Sequence, residues 1–175
     1  MHSSSIISLV ALAIASESAY AAGWAVNLET TDEMSDERIV ATALPSVNTW
    51  KGAFGREGRA ELFVACRGNR TSVVVVAGAS VKSNFSSGKT PIRHRFDKEP
   101  AISEEWSIST DSKSIIKPNP IPWIRALPAH GEIKVEISWL FPTDSSTWVA
   151  RFELPPKGET ARALEPIAKA CHWEL

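Results

Sequence analysis

The sequence predicts a mainly β fold: an antiparallel β-sandwich or half-barrel of about seven to nine strands, with a short proline-bounded helix and a C-terminal helix. Two observations support this. Runs in which apolar and polar residues alternate recur along most of the chain, as in strands that bury one face. Apolar residues spaced three or four apart, the period of a helix, dominate only the last part of the chain.

Length and charge narrow the class of protein further. The chain has 175 residues, which favours one domain, and 43% of them are hydrophobic, as is typical of folded proteins. The 19 Lys and Arg residues are balanced by 20 Asp and Glu residues, for a net charge of −1. Because this balance supplies no long-range positive field, it argues against a general binder of nucleic acid or of anionic lipid.

The N-terminus has the features of a signal peptide. Residues 6–15 form an apolar run of about ten, too short for the roughly twenty residues of a membrane span, and no later segment approaches that length. Residues 19–21 (Ala-Tyr-Ala) form a small-x-small triplet that signal peptidase accepts. No Lys or Arg precedes the run, so a buried N-terminal strand or helix is the alternative. We expect a signal peptide over residues 1–21, cleaved after Ala21, and a single exported β domain over residues 22–175.

The chain contains two cysteines, Cys66 and Cys171. In an exported protein, two cysteines most simply form one disulfide, which here closes a loop of about a hundred residues and contributes roughly 4–5 kcal/mol in the chain-entropy model. The apolar neighbours of Cys66 argue against a reactive thiol, and no C-x-x-C motif indicates a metal site.

The first elements of the mature chain are short. Residues 24–28 predict an alternating strand, and residues 30–37 a polar loop or a single helical turn. Residues 38–44 predict a second strand that Pro45 ends, and residues 51–58, which include three glycines, predict a loop.

The clearest signal is a β-hairpin. β-Branched and apolar residues fill positions 60–66 and 71–77, on either side of a short Gly-Asn turn. The valines at positions 73–76 show no alternation, so we expect the second strand to be central and covered on both faces.

The next strand carries the most informative alternation. Residues 92–97 have this pattern, and residues 106–109 continue it on a following strand. Period-2 geometry assigns one face to Ile92, His94 and Phe96 and the other to Arg93, Arg95 and Asp97.

The last third predicts a helix, a second hairpin and another helix. Residues 122–127 follow several prolines and suit a short helix. Residues 132–140 and 147–154 both alternate, which predicts a hairpin. Residues 158–171 predict an amphipathic helix. Pro166 should either kink this helix or shift the position where it starts.

The sequence lacks the common catalytic motifs, so we expect no enzyme, no cofactor and no metal ion. His94 lies on the apolar face and is expected to be a core histidine, whereas His130 lies in a turn and is expected to be solvated. Glu104 and Glu105 are adjacent on a strand and should face opposite sides, which keeps them from sharing a substrate.

The binding candidates are the polar stripe of Arg93, Arg95 and Asp97 and the indole of Trp50. Two guanidinium groups about 7 Å apart on one strand face suit an anionic partner, such as peptidoglycan carboxylates or an acidic protein loop. A charged sheet face with ion pairs between its strands is the alternative. Trp50 follows polar residues and is expected to be exposed and to anchor a partner, because Trp and Arg are favoured in interfaces.

The order of several short motifs is similar to that of a known family. The motifs are Met34-Ser35-Asp36 before a strand, the strand-Cys-Arg at 62–67, Arg95-Phe96-Asp97 before residues 106–109, the IPWIRAL segment at 121–127, and Ala170-Cys171-His172-Trp173. In this order the chain resembles the periplasmic accessory family called TagO or VasI, found with bacterial type VI secretion systems. The resemblance covers residues 24–173.

This resemblance implies a non-catalytic envelope protein that acts through protein or cell-wall contacts. The family's cysteine pair corresponds to Cys66 and Cys171, and its Arg-x-Asp motif to Arg95 and Asp97. A second class of function is an exported inhibitor that plugs the cleft of a cell-wall hydrolase. That function needs a protruding polar loop on a rigid scaffold, for which residues 48–58 or 82–91 are the candidates.

Overall fold

The computed structural model describes residues 23–25, 28–51, 56–84, 86–140 and 146–175. The signal peptide predicted over residues 1–21 lies outside these residues. Within them the fold is mainly β, as the sequence predicts, with a short helix and a C-terminal helix. Eleven strands are present in the described part of the chain: β1 Leu28–Thr31, β2 Arg38–Pro45, β3 Trp50–Lys51, β4 Glu57–Gly58, β5 Glu61–Arg67, β6 Arg70–Val76, β7 Lys89–Phe96, β8 Ile102–Ile108, β9 Ser114–Ile116, β10 Glu132–Ser138 and β11 Thr147–Glu153.

Nine of these strands form one antiparallel sheet in the order β1-β2-β5-β6-β9-β8-β7-β10-β11. The chain after β2 then reaches the far edge of the same sheet. Val47 donates its backbone N–H to Arg151 O, and the Asn48 side chain donates to Val149 O and accepts from Arg151 N, at 2.8–2.9 Å. The sheet is therefore rolled, which fits the half-barrel that the alternation predicts.

The hairpin of β5 and β6 confirms the strongest prediction. The two strands pair from Glu61 opposite Val76 to Arg67 opposite Arg70. Gly68 and Asn69 form the turn with φ of 51° and 60°, the left-handed region that two-residue hairpin turns require. β6 lies between β5 and β9 and its central valines are buried, so this strand is central and covered on both faces.

Four short strands differ from the prediction. β1 begins at Leu28, so half of it lies in the predicted loop, because pairing with β2 orders a segment whose own pattern is weak. β3 and β4 pair with each other at the two ends of the predicted 51–58 loop. β9 was not predicted, yet it pairs with both β6 and β8 and so joins the two halves of the sheet.

Two helices cover the core. Helix α1 (Pro120–Ala126) continues into a 3₁₀ turn (Leu127–Ala129), and helix α2 (Lys157–Ala170) contains Pro166. The proline ring cannot donate to the carbonyl four residues earlier, but the helix runs on to Ala170. The helices bury several side chains against the sheet, among them Trp123, Ile124, Leu127, Leu164 and Ile167. For α2 this agrees with the predicted spacing of three or four residues.

A disulfide joins Cys66 on β5 to Cys171 directly after α2, with 5.7 Å between the two Cα atoms. This confirms the predicted pairing. Both residues are buried and belong to the hydrophobic core. The bond spans 105 residues of sequence and thereby fastens the C-terminal helix to the middle of the sheet.

Reduction of this disulfide is expected to lower the free energy of unfolding by about 2–5 kcal/mol, because the long loop no longer restricts the unfolded chain. Guanidinium titrations with and without reductant measure the change. The Cys66→Ser/Cys171→Ser double variant is the control and should unfold at one midpoint in both conditions. Equal midpoints for the wild-type chain, with both thiols shown to be free, would contradict the prediction.

Candidate binding surface

The outward faces of β7, β10 and β11 bring cations together from three strands. The strand register places Arg95 of β7 opposite Lys134 of β10, and Lys134 opposite Arg151 of β11. Neighbouring strands are about 4.8 Å apart, so these three side chains form a row across roughly 10 Å of sheet. We call Arg95, Lys134 and Arg151 the basic row. Sequence reasoning found Arg95 but missed the other two, because register decides which strands meet.

Most cations on this face already have carboxylate partners. Arg93 contacts Glu136 across the strands at 3.3 Å, and Glu132 pairs with both Lys134 and Arg151, the latter at 3.6 Å. Exposed pairs of this kind contribute about 0–1 kcal/mol each. Among the described residues, no carboxylate lies within ion-pair distance of Arg95, which is half-buried. The alternative of ion pairs between strands therefore holds for Arg93, and an anionic partner of Arg95 stays a prediction.

Asp97 does not belong to this face in the way the alternation predicts. It follows the end of β7 with φ of 44°, and its Oδ1 accepts from the backbone N–H groups of Gly131 and Glu132 at 3.0 and 2.9 Å. Its Oδ2 lies 2.9 Å from His130 Nδ1, and this hydrogen bond is the main cause that lowers the pKa of Asp97. The carboxylate thus holds the chain that enters β10, and a partner contact of Asp97 stays a prediction.

His130 is likewise not a solvated turn residue. Its ring stacks on Phe96 with 4.4 Å between centroids, and its side chain is 18% exposed. The turn is therefore packed on both sides, by the Asp97 carboxylate and by the Phe96 ring.

The prediction that Trp50 is exposed is wrong. The residue is 9% exposed and its ring contacts Trp139, with 5.7 Å between centroids. β4 runs beside it, so closely that a Cβ added at Gly58 would lie 2.5 Å from Trp50 Cζ2. A glycine directly opposite Trp50 on β4 thus makes room for the indole, and Trp50 is buried against Trp139.

The two loops expected for an inhibitor are fastened at their described ends. Asn48 binds the edge of β11, and Trp50 is buried as described above. Lys82 donates its backbone N–H to Ser138 O, and Lys89 already begins β7. Residues 52–55 and 85 lie outside the described residues.

The inward face of β7 carries a buried polar cluster of His94, Glu104 and Lys117. His94 is 3% exposed, which confirms it as a core histidine, and its Nε2 lies 2.6 Å from Glu104 Oε1. Lys117 Nζ donates to the same oxygen at 2.8 Å. The rings of Trp106 and Trp123 flank the imidazole. The cluster ties β7, β8 and the segment before α1 together.

Burial and hydrogen bonding act in opposite directions on this cluster. Burial lowers the pKa of His94, and the hydrogen bond to Glu104 offsets that effect only in part. Burial acts to raise the pKa of Glu104, but hydrogen bonds that include those with Lys117 and His94 outweigh it, so the pKa of this carboxyl is lowered. Glu105 faces the opposite side of the sheet and is exposed, as strand geometry predicts.

Comparisons with family models, with curated proteins and with solved structures found no match to this chain. The resemblance to the TagO/VasI family therefore stays a prediction. No helix in the described part of the chain is long and apolar enough to cross a membrane. Over the same residues, His, Cys, Asp and Glu side chains do not come together in groups of three or more that a metal ion would need.

Gly58→Ala is expected to destabilise the protein by about 1–3 kcal/mol, because the added methyl group collides with the buried Trp50 ring. Gly158→Ala on α2 is the matched control. Its Cβ meets no atom within 4 Å, so stability should stay within about 0.5–1 kcal/mol of wild type, on the stabilising side. Thermal unfolding measures both, and equal melting temperatures for the two variants would contradict this account of the Trp50 site.

Acid is expected to destabilise the fold through His94. Its folded-state pKa lies below the usual 6.5, so the unfolded chain binds more protons, and stability is lost as pH falls below 6.5 toward the folded-state pKa. Glu104, whose pKa also falls below its usual 4.5, adds a loss at still lower pH. In urea titrations across this range, His94→Gln should flatten the slope of unfolding free energy between pH 6.5 and 4.5, whereas His172→Gln, at an exposed position, should keep it. A His94→Gln slope equal to wild type would refute the assignment.

Proposed function

We propose that this chain is a non-catalytic periplasmic accessory protein of a bacterial envelope system, which binds an anionic partner through the basic row. The disulfide supports the compartment, because such a bond persists in an oxidising environment. The order of its motifs, which resembles that of the TagO/VasI proteins of type VI secretion systems, supports the class of protein.

The observation that carries the proposal is the position of Arg95. The residue is half-buried on a strand with neighbours on both sides, and Lys134 lies directly opposite on β10. A side chain held in this way loses little conformational entropy when it binds, and arginine suits bidentate contact with a carboxylate. Because Asp97 is committed to the chain before β10, its carboxylate does not compete for this contact.

The neighbouring ion pairs shape what this surface recognises. Glu132 shares its charge between Lys134 and Arg151, so an incoming carboxylate meets cations that are only partly neutralised. The row has a spacing of about 5 Å, which suits a partner with several carboxylates in series rather than an isolated anion. The carboxylates of peptidoglycan stem peptides have this chemistry. Since water and salt screen exposed charges, binding is expected to weaken as ionic strength rises.

Arg95→Ala is expected to reduce the fraction of protein that co-sediments with purified peptidoglycan sacculi, by about threefold to tenfold at low salt. Arg93→Ala should have a smaller effect, because Arg93 is already paired with Glu136. Arg70→Ala, at the exposed hairpin turn of β6, is the matched control and should bind as wild type does. All variants must first show the wild-type melting temperature.

Equal sedimentation of all four proteins would overturn the role of the basic row. If the wild-type chain leaves sacculi unbound but is cross-linked at Arg95 to an acidic segment of an envelope protein, the partner is that protein and peptidoglycan is excluded.

A further inference from the structure

The turn between β1 and β2 presents a large apolar side chain to water. Met34 is 95% exposed, the highest value among the exposed large hydrophobic residues of the described chain. The exposed carboxylates of Glu33 and Asp36 lie on either side of it in sequence. We call residues 32–37 the acidic tip. The fold itself gains no hydrophobic stabilisation from this side chain, which a partner's apolar site would supply.

The tip is held in one conformation. Asp32 Oδ1 accepts the backbone N–H groups of Met34 and Ser35 at 2.9 and 3.1 Å. The Arg67 guanidinium then binds Asp32 Oδ2 at 2.7 Å and Glu37 Oε2 at 2.8 Å. Arg67 and Asp32 have side chains only 15% and 7% exposed, so water screens this pair weakly. A rigid tip pays little ordering entropy on binding, which is a property of interface anchors.

A groove of about 680 Å³ runs along the exposed side of α2. Ala161, Ala168 and Trp173 are among the apolar residues that line it, and Arg162 and Lys169 line it as cations. A second depression shares Glu165 and Lys169 with it and extends the groove to Arg38. Three cations thus line the combined groove, against two carboxylates, Glu165 and Glu174.

The tip and the groove lie at the same end of the molecule for a structural reason. Arg67 holds the tip, and Cys66, the residue before it on β5, is bonded to Cys171 at the end of α2. Arg38, which follows the tip directly, also lines the groove. An apolar, acid-flanked projection and a groove lined partly by cations therefore lie close to each other at this end of the molecule.

We propose that this end of the protein is a self-association surface, in which Met34 of each copy enters the α2 groove of a second copy. A twofold axis through this end of the molecule places the acidic tip of each copy opposite the groove of the other copy. This is the arrangement of an isologous dimer. Glu33 and Asp36 then meet Arg162 and Lys169, so charge complementarity favours a second copy of this chain over an unrelated apolar surface. The basic row on β7, β10 and β11 takes no part, and the dimer is independent of the proposed function.

Sedimentation velocity on the full oxidised chain tests this proposal, from about 5 to 500 μM, a range that detects weak dimers. The sedimentation coefficient of the wild-type protein should rise with concentration. Met34→Asp should abolish that rise. Ile102→Asp, at another exposed apolar position on β8, is the matched control and should leave it unchanged. Near-ultraviolet circular dichroism confirms that each variant is folded.

Charge-reversal variants distinguish this interface from any other interface through which the chain could associate. Glu33→Lys/Asp36→Lys and Arg162→Glu/Lys169→Glu should each weaken self-association, and an equimolar mixture of the two double variants should restore it. A wild-type chain that stays monomeric up to the highest concentration would overturn the proposal. Association that persists in Met34→Asp, or a mixture that fails to recover it, would also overturn it.

Discussion

A covalent bond between Cys66 and Cys171 determines where the C-terminal helix lies. Cys66 occupies the penultimate position of β5 and faces the core, so the bond draws α2 onto the inner side of the rolled sheet. The next residue, Arg67, points to the opposite side, as strand geometry demands, and holds the β1–β2 turn through Asp32 and Glu37. Two consecutive residues of one strand thus position two parts of the chain that are distant in sequence, and this end of the molecule depends on both.

The same alternation gives β7 two different faces. Its inward His94 belongs to a cluster with Glu104 and Lys117, where low exposure strengthens each hydrogen bond and makes an unpaired charge costly. Its outward Arg95 is half-buried on the solvent side of the sheet, where water screens contacts more strongly than in the core. In the proposed function, a partner on the outer face meets a strand whose inner face is held by buried hydrogen bonds.

The long, strongly patterned elements were predictable, and the reasons lie in local chemistry. Period-2 alternation identified β7, β10 and β11, and the Gly-Asn turn with flanking β-branched residues identified β5 and β6. Shorter or weakly patterned strands were not predictable. β1 and β9 have four and three residues, and their strand state comes from pairing with neighbours rather than from their own propensity. The same limit applies to the candidate site. Arg95 could be found on one strand, but Lys134 and Arg151 join it only through register.

The sequence by itself determined the fold class, the faces of the long strands, the core position of His94 and the pairing of the two cysteines, because each depends on local periodicity or on the count of one residue type. Tertiary structure alone decided the surroundings of Trp50, Asp97 and Lys117. An indole after polar residues becomes buried when a glycine on a neighbouring strand makes room for it. A carboxylate at the end of an alternating run leaves the face when distant backbone N–H groups lie within its reach. Such contacts join residues far apart in the chain, and no local pattern records which of them will meet.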